Sequence, residues 1–353
     1  MPCFYPLQGF RSKHVNKASG KRPIVFSRQE GLVDQPVTLP CGRCVGCRLE
    51  KSKAWAVRVM HEASLYEGLG PVLRGNCFLT LTYDDKHLPK DLSVNPDHVV
   101  GFMKRLRKRH GEGIRSYGCA EYGELCRNCR CRKRRPFEQW RKGVCDCEHY
   151  IPGPGRPHYH LCLFNHQFSD AKFWRKSPGG GSLSTSSELS ELWPFGFHTI
   201  GSLTFESAAY VARYVTKKMN GDRAKEHYEV FDPDTGELFD IKPERAVCVS
   251  RGTKSLGTGG IGRGWLERFR GDVYPCGEVL LRGLKLRPPK YYDYRFDIDF
   301  PEECANVKKL RQEKFLEWQE RNAEVRPEVA EQILVDRTKE LHRRYENGSD
   351  ENV

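Results

Sequence analysis

The sequence contains no apolar run that approaches the roughly 20 consecutive residues needed to span a lipid bilayer. The stretch MPCFYPLQGFRSKH at its start lacks the apolar core of a secretory signal peptide. Both absences predict an intracellular protein with no membrane partner. The 15 cysteines are therefore expected to be thiols and metal ligands rather than disulfides, and their odd number agrees with this expectation.

Acidic residues are scarce in the middle of the chain, where positive charge is concentrated. Residues 101–142 contain 14 Lys and Arg against 4 Asp and Glu, whereas residues 301–353 contain 10 against 13. In a chain of net charge +13, such a local field favours nucleic acid as a partner, although a solvated basic surface is the alternative. The residues predicted to contact nucleic acid are Lys104, Arg105, Lys108, Arg109, Arg132, Lys133, Arg134, Arg135 and Lys218.

The pattern of apolar residues predicts an α+β fold. The stretches NCFLTLTYDD, IRSYGCAEYGE, HYHLCLF and FGFHTIGSL have the alternation or the short apolar run of strands. NPDHVVGFMKRLRKRHG, with Asn95 as its N-cap, and TFESAAYVARYVTKKM have the apolar spacing of helices. Because these elements do not alternate as βαβ units, we expect a central antiparallel sheet with helices on one face.

Two histidines lie one residue apart in the stretch GRPHYHLCLF. In a strand, residues i and i+2 project from the same face, so the imidazoles of His158 and His160 converge while Tyr159 points away. Such a pair can share one divalent cation. A further ligand is then required, and Glu121 in the preceding predicted strand is the best candidate, with Glu124 as the fallback. Histidines that merely face solvent are the alternative.

Two tyrosines lie four residues apart in the predicted helix AAYVARYVTKK. This spacing places Tyr210 and Tyr214 on one helix face, with Lys217 near the same side. A phenol, with a pKa of about 10, is a poor nucleophile unless a neighbouring group draws off its proton or stabilises the product. A lysine and a metal-bound phosphate supply such help. Aromatic residues at this spacing can also be ordinary core residues.

Three motifs, FLTLTYDD, HYH and YVARYVTKK in this order, resemble those of the HUH rolling-circle replication initiators. The stretches MPCFYP, PCGRCVGC, GRPHYH and RPPKYYD also resemble the initiators of gokushoviruses, a branch of the microviruses, which are small single-stranded DNA phages. The resemblance covers about residues 1–300. Three ordered motifs together are far more specific than any one of them.

The resemblance implies an HUH endonuclease, with a ferredoxin- or RRM-like core, that nicks and rejoins single-stranded DNA at a replication origin. It implies that His158 and His160, with Glu121 as a less certain third ligand, hold Mg²⁺ or Mn²⁺. Tyr210 and Tyr214 are implied to be alternating nucleophiles that form a 5′-phosphotyrosyl link. The implied partners are a host DNA polymerase, which extends the free 3′-OH, and a host helicase, in the cytoplasm of the infected bacterium.

Lys217 is implied by the same resemblance to be a cation that positions the phosphate or the tyrosine. A covalent intermediate conserves the energy of the phosphodiester bond, so rejoining needs no ATP, and the sequence contains no Walker loop. We divide the chain into a cysteine-rich N-terminal region with a helix (1–74), the HUH domain (75–245) with a cysteine-rich basic insertion (125–154), a strand and loop extension (246–300), and a charged helical tail (301–353).

Two groups of cysteines have the spacing of zinc ligands. In the first group, Cys41, Cys44 and Cys47 follow the pattern C-x₂-C-x₂-C, and Cys3 is the predicted fourth ligand. An iron–sulfur cluster and free thiols are the alternatives for this group. The second group lies in the basic insertion, which we expect to be a metal-stapled hairpin that contacts DNA. Its predicted ligands are Cys126, Cys129, Cys145 and Cys147.

Two other functions fit parts of the sequence. A non-catalytic protein could bind RNA or DNA through a sheet with zinc knuckles whose aromatic side chains stack on bases. A related HUH transposase or plasmid relaxase is the second possibility. Most transposases of this type use one tyrosine, so the pair of tyrosines favours replication.

Overall fold

The computed structural model describes most of the chain, in segments separated by gaps. These segments are residues 3–17, 20, 22–67, 75–126, 152–177, 180–212, 218, 223–231, 236–252, 259–321 and 326–347. The described helices are α1 (Val45–Ser64), α2 (Pro96–His110), α3 (Ser187–Leu192), α4 (Phe205–Ala212), α5 (Arg223–Tyr228), α6 (Arg263–Val273), α7 (Lys290–Asp299), α8 (Pro301–Arg321) and α9 (Pro327–Asn347). The described strands are β1 (Leu7–Ser12), β2 (Ile24–Val25), β3 (Gly31–Leu39), β4 (Asn76–Thr82), β5 (Arg115–Cys126), β6 (Pro152–Phe164), β7 (Lys172–Lys176), β8 (Ser182–Thr185), β9 (His198–Gly201), β10 (Glu229–Phe231), β11 (Leu238–Asp240), β12 (Arg245–Val247), β13 (Val279–Leu281) and β14 (Leu284–Leu286).

Seven of these strands form one antiparallel sheet in the order β12-β5-β6-β4-β9-β8-β7. The four strands predicted from the sequence, β4, β5, β6 and β9, are its contiguous centre, although β9 is only four residues long. Burial alternates residue by residue along β4, as expected for a strand whose two faces meet different environments. The prediction of an antiparallel α+β fold is confirmed.

Helices cover both faces of this sheet, so the prediction of helices on one face is wrong. On one face, Leu79 and Leu161 pack in a core with Phe102 of α2. On the other face, Cys119 and Cys162 pack in a second core with α1 and α4. The reason lies in β5 and β6, where apolar or aromatic residues point to both faces of the sheet. Each face therefore needs helices packed against it. Helix α1, which we assigned to the N-terminal region, is therefore part of this packing.

The predicted N-cap of α2 is confirmed, because the side-chain oxygen of Asn95 accepts a hydrogen bond from the backbone N–H of Asp97 at 3.1 Å. Residues 246–300 differ from the prediction of strands and loops, since they include α6 and α7 as well as the β13–β14 hairpin. These two helices bury Leu266 and Tyr292 in a third core. Residues from 301 onward contain the predicted charged helices, α8 and α9. Within the described segments, none of the helices has the length and apolarity of a membrane span.

A buried ion pair joins α1 to the sheet. The carboxylate of Glu62, which is 2% exposed, accepts a hydrogen bond from Nε of Arg115 in β5. Its second oxygen accepts the backbone N–H of Gly262 at 2.7 Å, and Nη2 of Arg115 donates to the carbonyl of Gly259 at 2.8 Å. Three segments that are distant in the sequence thus meet at one carboxylate.

We expect Glu62→Ala to lower the free energy of unfolding by about 3–5 kcal/mol, because the guanidinium of Arg115 would stay buried without its counter-ion. Urea unfolding of the full chain measures the change. Glu267→Ala is the matched control, since Glu267 is exposed and pairs with Arg263 within one helix, where a loss below about 1 kcal/mol is expected. Equal losses for the two variants would contradict the assignment.

Candidate metal centre and nucleophile

The register of the central strands brings Glu121, His158 and His160 together. Glu121 of β5 lies directly opposite His158 of β6, and Thr80 of β4 lies opposite His160. Oε1 of Glu121 is 3.0 Å from Nε2 of His160 and 3.8 Å from Nε2 of His158. One ligand atom from each of the three residues lies within 4.8 Å of the other two. Glu121 is therefore a carboxylate that the structure places beside the histidines, and the side chain of the fallback candidate, Glu124, lies outside the described residues.

Hydrogen bonds to the far side of each ring orient both histidines toward Glu121. Nδ1 of His158 is 3.3 Å from the carbonyl of Arg156, which can only accept, so Nδ1 carries a proton and Nε2 is the nitrogen that faces the carboxylate. Nδ1 of His160 is 3.0 Å from the hydroxyl of Thr80, which can accept the same kind of bond. Such partners on the outer nitrogen are typical of histidines that bind metals.

The charges at this site require a proton or a cation between the carboxylate and the imidazole. Glu121 is 1% exposed and His160 is also buried. An ionised carboxylate oxygen and an imidazole lone pair 3.0 Å apart repel each other unless a proton or a metal ion lies between them. Two imidazole nitrogens and one carboxylate oxygen are a donor set that suits divalent transition metals. The residues present therefore fit a divalent cation.

Tyr210 lies beside this centre. Its ring meets that of His160 edge-on, with the ring centroids 5.0 Å apart. Helix α4 carries it there because Ala208 and Val211 pack into the core on the same sheet face. Tyr210 itself is only half-buried.

A reciprocal cap fixes the start of α4, directly after β9. The side chain of Thr204 accepts the backbone N–H of Ser207 at 3.3 Å, and the side chain of Ser207 accepts the backbone N–H of Thr204 at 2.8 Å. The positions of Tyr214 and Lys217 fall outside the described residues. Lys218 is described, and its carbonyl accepts a hydrogen bond from Nη2 of Arg48 in α1 at 2.8 Å.

Tyr159, between the two histidines, packs on the opposite face as predicted. Its hydroxyl donates to the carbonyl of Asn95 at 2.9 Å and accepts the N–H of Asn95 at 2.7 Å. Burial raises the pKa of Tyr159, so this phenol stays protonated. Its role is to attach β6 to the start of α2.

Four of the basic residues predicted to bind nucleic acid, those on α2, lie on the sheet face opposite to this centre. Helix α2 lies on the opposite sheet face, where Arg105 donates two hydrogen bonds to the carbonyl of Leu192 and Arg109 pairs with Glu191 at 2.9 Å. Lys104 and Lys108 are exposed on the same helix. The predicted DNA contacts of these four residues stay predictions. The cations at positions 132–135 and the cysteines at 129, 145 and 147 lie outside the described residues, as does the side chain of Cys126.

The first cysteine group assembles as predicted, with Cys3 folded back onto the C-x₂-C-x₂-C loop. The four sulfurs of Cys3, Cys41, Cys44 and Cys47 lie within 4.8 Å of one another. Burial raises the pKa of the Cys41 thiol, but hydrogen bonds from the backbone N–H groups of Cys44 and Arg43 outweigh it and lower the pKa to about 7. This arrangement favours a thiolate at Cys41.

Three features near these sites were missed by the sequence reasoning: the contact of Thr80 with His160, the bond from Arg48 to Lys218, and an exposed aromatic stretch in β7. Only the last has a sequence signal, the stretch KFWRK, in which two aromatic residues stand among three cations. The other two join segments that are far apart in the sequence.

Comparison with known proteins identifies relatives of this chain. The family model of the replication-associated protein ORF2/G2P matches residues 140–219, a range that contains both histidines and both tyrosines. Replication-associated protein ORF2 of Spiroplasma virus 4 is 33% identical over 321 residues, which are 86% of this chain and 82% of that protein. Replication-associated protein VP4 of Bdellovibrio phage phiMH2K is 28% identical over 80% of this chain and 76% of its own length.

Replication-associated protein ORF4 of Chlamydia phage 1 is 29% identical over 51% of this chain and 38% of its own length. No solved structure matches this one. The resemblance to microvirus initiators noted in the sequence is confirmed by these relatives. The chain belongs to the family of phage replication-associated proteins that includes ORF2 of Spiroplasma virus 4.

Proposed function

We propose that this protein nicks and rejoins single-stranded DNA to start and end rolling-circle replication of a small circular phage genome. One observation carries the proposal: the ring of Tyr210 lies 5.0 Å from that of His160, which converges with His158 and Glu121. A potential nucleophile and a potential metal centre thus occupy one sheet face. The relatives, which are named replication-associated proteins of phages, support a role in phage DNA replication.

We assign Glu121, His158 and His160 to hold Mg²⁺ or Mn²⁺. When bound, the ion supplies Lewis-acid polarisation of the scissile phosphate and neutralises charge that develops on its oxygens. Thr80 and the carbonyl of Arg156 orient the two imidazoles from behind, so that both Nε2 atoms face the carboxylate. The site therefore needs little rearrangement when the ion binds.

In the proposed reaction the phenol oxygen of Tyr210 attacks the scissile phosphorus in line with the bond to the 3′ oxygen. The bond from phosphorus to the tyrosine oxygen forms, the bond to the 3′ oxygen breaks, and the phenol proton passes to the departing 3′ oxygen, which becomes a 3′-OH. One phosphodiester replaces another, so a 3′-OH can later attack the phosphotyrosine and reseal the strand without ATP. A host DNA polymerase would extend the free 3′-OH, and a host helicase would be the second partner. Both would act in the cytoplasm of the infected cell.

We assign Tyr214 to the second cut, at the regenerated origin, because in the helix predicted from the sequence a spacing of four residues would bring it to the same face as Tyr210. Lys217 is assigned as the cation that positions the phosphate or the phenol. These two assignments rest on the sequence. A non-catalytic nucleic-acid-binding protein is the competing function, and it predicts no covalent intermediate.

We expect the wild-type protein, with Mn²⁺ and single-stranded oligonucleotides tiled across the phage genome that encodes it, to form a protein–DNA adduct that survives denaturant. The double variant Tyr210→Phe, Tyr214→Phe removes both phenol oxygens and should form none. Denaturing gel electrophoresis of labelled oligonucleotides measures the adduct. Tyr294→Phe, at an exposed tyrosine of α7, is the control and should react as wild type. An adduct from the double variant would contradict the tyrosine mechanism, and the absence of any adduct would favour the non-catalytic function.

His160→Ala removes one of the converging nitrogens, so the rate of adduct formation should fall by about 100-fold or more. Chelation of divalent ions should lower the rate of adduct formation by the wild-type protein to a similar extent, and added Mn²⁺ should restore that rate. Affinity for the oligonucleotide without divalent ions should stay within about threefold of wild type, because the metal ligands are not needed for backbone contacts. His87→Ala, in an exposed pair with Asp84, is the matched control. A rate for His160→Ala equal to that of the control would rule out the metal assignment.

A further inference from the structure

The sulfurs of the four cysteines around α1 have the spacing of a single-ion site. We call Cys3, Cys41, Cys44 and Cys47 the cysteine cluster. The sulfurs of Cys41 and Cys47 are 4.0 Å apart, as are those of Cys44 and Cys3. A tetrahedral Zn²⁺ with bonds of about 2.3 Å places its sulfurs about 3.8 Å apart.

Backbone N–H groups point at two of these sulfurs. Sγ of Cys41 accepts the N–H groups of Arg43 and Cys44 at 3.4 and 3.3 Å, and Sγ of Cys3 accepts the N–H of Cys41 at 3.2 Å. Gly42 makes the tight turn possible, with a φ of 73° that disfavours other residues. A loop that aims N–H groups at sulfur stabilises thiolates, and thiolates are the form that binds a metal.

We infer that the cysteine cluster binds one Zn²⁺. A four-iron cluster is less well matched, because its cysteine sulfurs each bind a different iron atom and therefore lie farther apart than the edge of a single-ion tetrahedron. The cluster lies on the N-terminal segment and the first turn of α1, whereas the centre of Glu121, His158 and His160 lies on β5 and β6. The inference of zinc binding does not depend on the proposed nicking activity.

The end of α1 that carries the cysteine cluster contacts the backbone of Lys218, which follows both tyrosines in the sequence. Arg48, the residue after Cys47, donates from Nη2 to the carbonyl of Lys218 at 2.8 Å. Farther along, Val59 of α1 packs with Ala208 and Val211 of α4 in one core. The metal would therefore fix α1, against which α4 packs, and the cysteines would act as positioning residues for Tyr210. This second part rests on the proposed function.

We expect Cys47→Ser to lose one equivalent of bound zinc relative to wild type, measured by elemental analysis of the purified full chain. Cys47→His keeps a zinc ligand and should retain that equivalent. Cys276→Ser, at an exposed cysteine outside the cluster, is the control and should also retain it. Equal zinc in all four proteins, or iron in place of zinc, would overturn the inference. If Cys47→Ser does not fold, Co²⁺-substituted wild type gives the same decision, since its absorption spectrum reports tetrahedral thiolate ligands.

The positioning role is read separately, from the adduct assay. Cys47→Ser should form the adduct at least about tenfold more slowly with oligonucleotide affinity unchanged, and Cys47→His should restore the rate. If Cys47→Ser and Cys47→His both form the adduct at the wild-type rate, the zinc site stands but its positioning role for the tyrosines is refuted. If Cys47→Ser loses zinc but the wild-type protein itself forms no adduct, the zinc inference holds and the nicking proposal fails.

A separate observation concerns the edge of the sheet. Phe173 is 64% exposed, Trp174 is 39% exposed and Phe197 is 46% exposed, and the rings of Trp174 and Phe197 lie edge to face with centroids 4.9 Å apart. We call these three residues the edge aromatic surface. The guanidinium of Arg175 lies 4.1 Å from the centroid of the Trp174 ring. Strand β7 also carries lysines at both of its ends, positions 172 and 176.

The edge aromatic surface is connected to the metal centre through β4. The carbonyl of Phe197 accepts both the backbone N–H and the hydroxyl of Thr82, at 2.9 and 2.8 Å. Thr82 lies opposite His158. The backbone of Phe197 is thus two strands from that of His158, or about 10 Å. The register shift between Phe173 and Arg175 is a bulge, a device that redirects side chains at sheet edges.

We infer that single-stranded DNA next to the cleaved phosphate stacks its bases on Trp174 and Phe197. Exposed aromatic rings among cations are the chemistry of single-strand binding, because every base has a face that can stack and every nucleotide carries a phosphate. A duplex keeps its bases stacked on each other and cannot use these rings. This inference rests on the proposed function for the identity of its ligand.

We expect Trp174→Ala and Phe197→Ala each to weaken binding of a single-stranded oligonucleotide about tenfold or more, and Trp174→Phe to restore most of it. Fluorescence anisotropy with divalent ions chelated measures binding without cleavage. Phe315→Ala, at an exposed aromatic residue of α8, is the control. Affinities equal to the control would overturn the inference. If the two alanine variants bind more weakly but the wild-type protein forms no adduct, the edge aromatic surface is supported and the nicking proposal fails.

Discussion

The register between β5 and β6 is the constraint on which the site depends. It places Glu121 opposite His158 and, with β4, gives His160 a hydrogen-bonding partner on its outer nitrogen. A slip of one residue would turn the histidines into the apolar core beneath α2. Because both faces of β6 are covered by packed helices, such a slip would expose or displace a whole set of core side chains. The packing that stabilises the sheet therefore also keeps a carboxylate and two imidazoles within reach of one ion.

Helix α1 connects the parts of the molecule that surround this site. The buried pair of Glu62 and Arg115 attaches it to β5, and the cysteine cluster surrounds its first turn. Between these two points it packs against α4, the helix that carries Tyr210. The covalent step proposed for Tyr210 needs in-line geometry, and such geometry is sensitive to displacements of about an ångström. Anchoring α1 at both ends is a physical means to limit such displacements.

The proposed chemistry and the proposed recognition of DNA use different properties of the same sheet. The centre of the sheet is buried, and a phosphate bound there would gain more from nearby charge than one at the surface. The edge at β7 is exposed, bulged and basic, so it can accept a chain of bases without a fixed sequence. The basic helix α2 faces away from the metal centre, and its arginines serve partly to hold α3. The positive charge of α2 therefore does not lie next to the candidate metal centre.

The sequence alone predicted the convergence of His158 and His160, the central strands, the N-cap at Asn95 and the C-x₂-C-x₂-C loop. Each of these features depends on residues that are close together in the chain. The resemblance of three ordered motifs also led to the correct family. Helices on both sheet faces, α6 and α7, the contact of Thr80 with His160 and the bond from Arg48 to Lys218 were decided only by the tertiary structure. These features depend on which distant segments share a core, and that choice is made by the burial of many side chains together rather than by any local pattern.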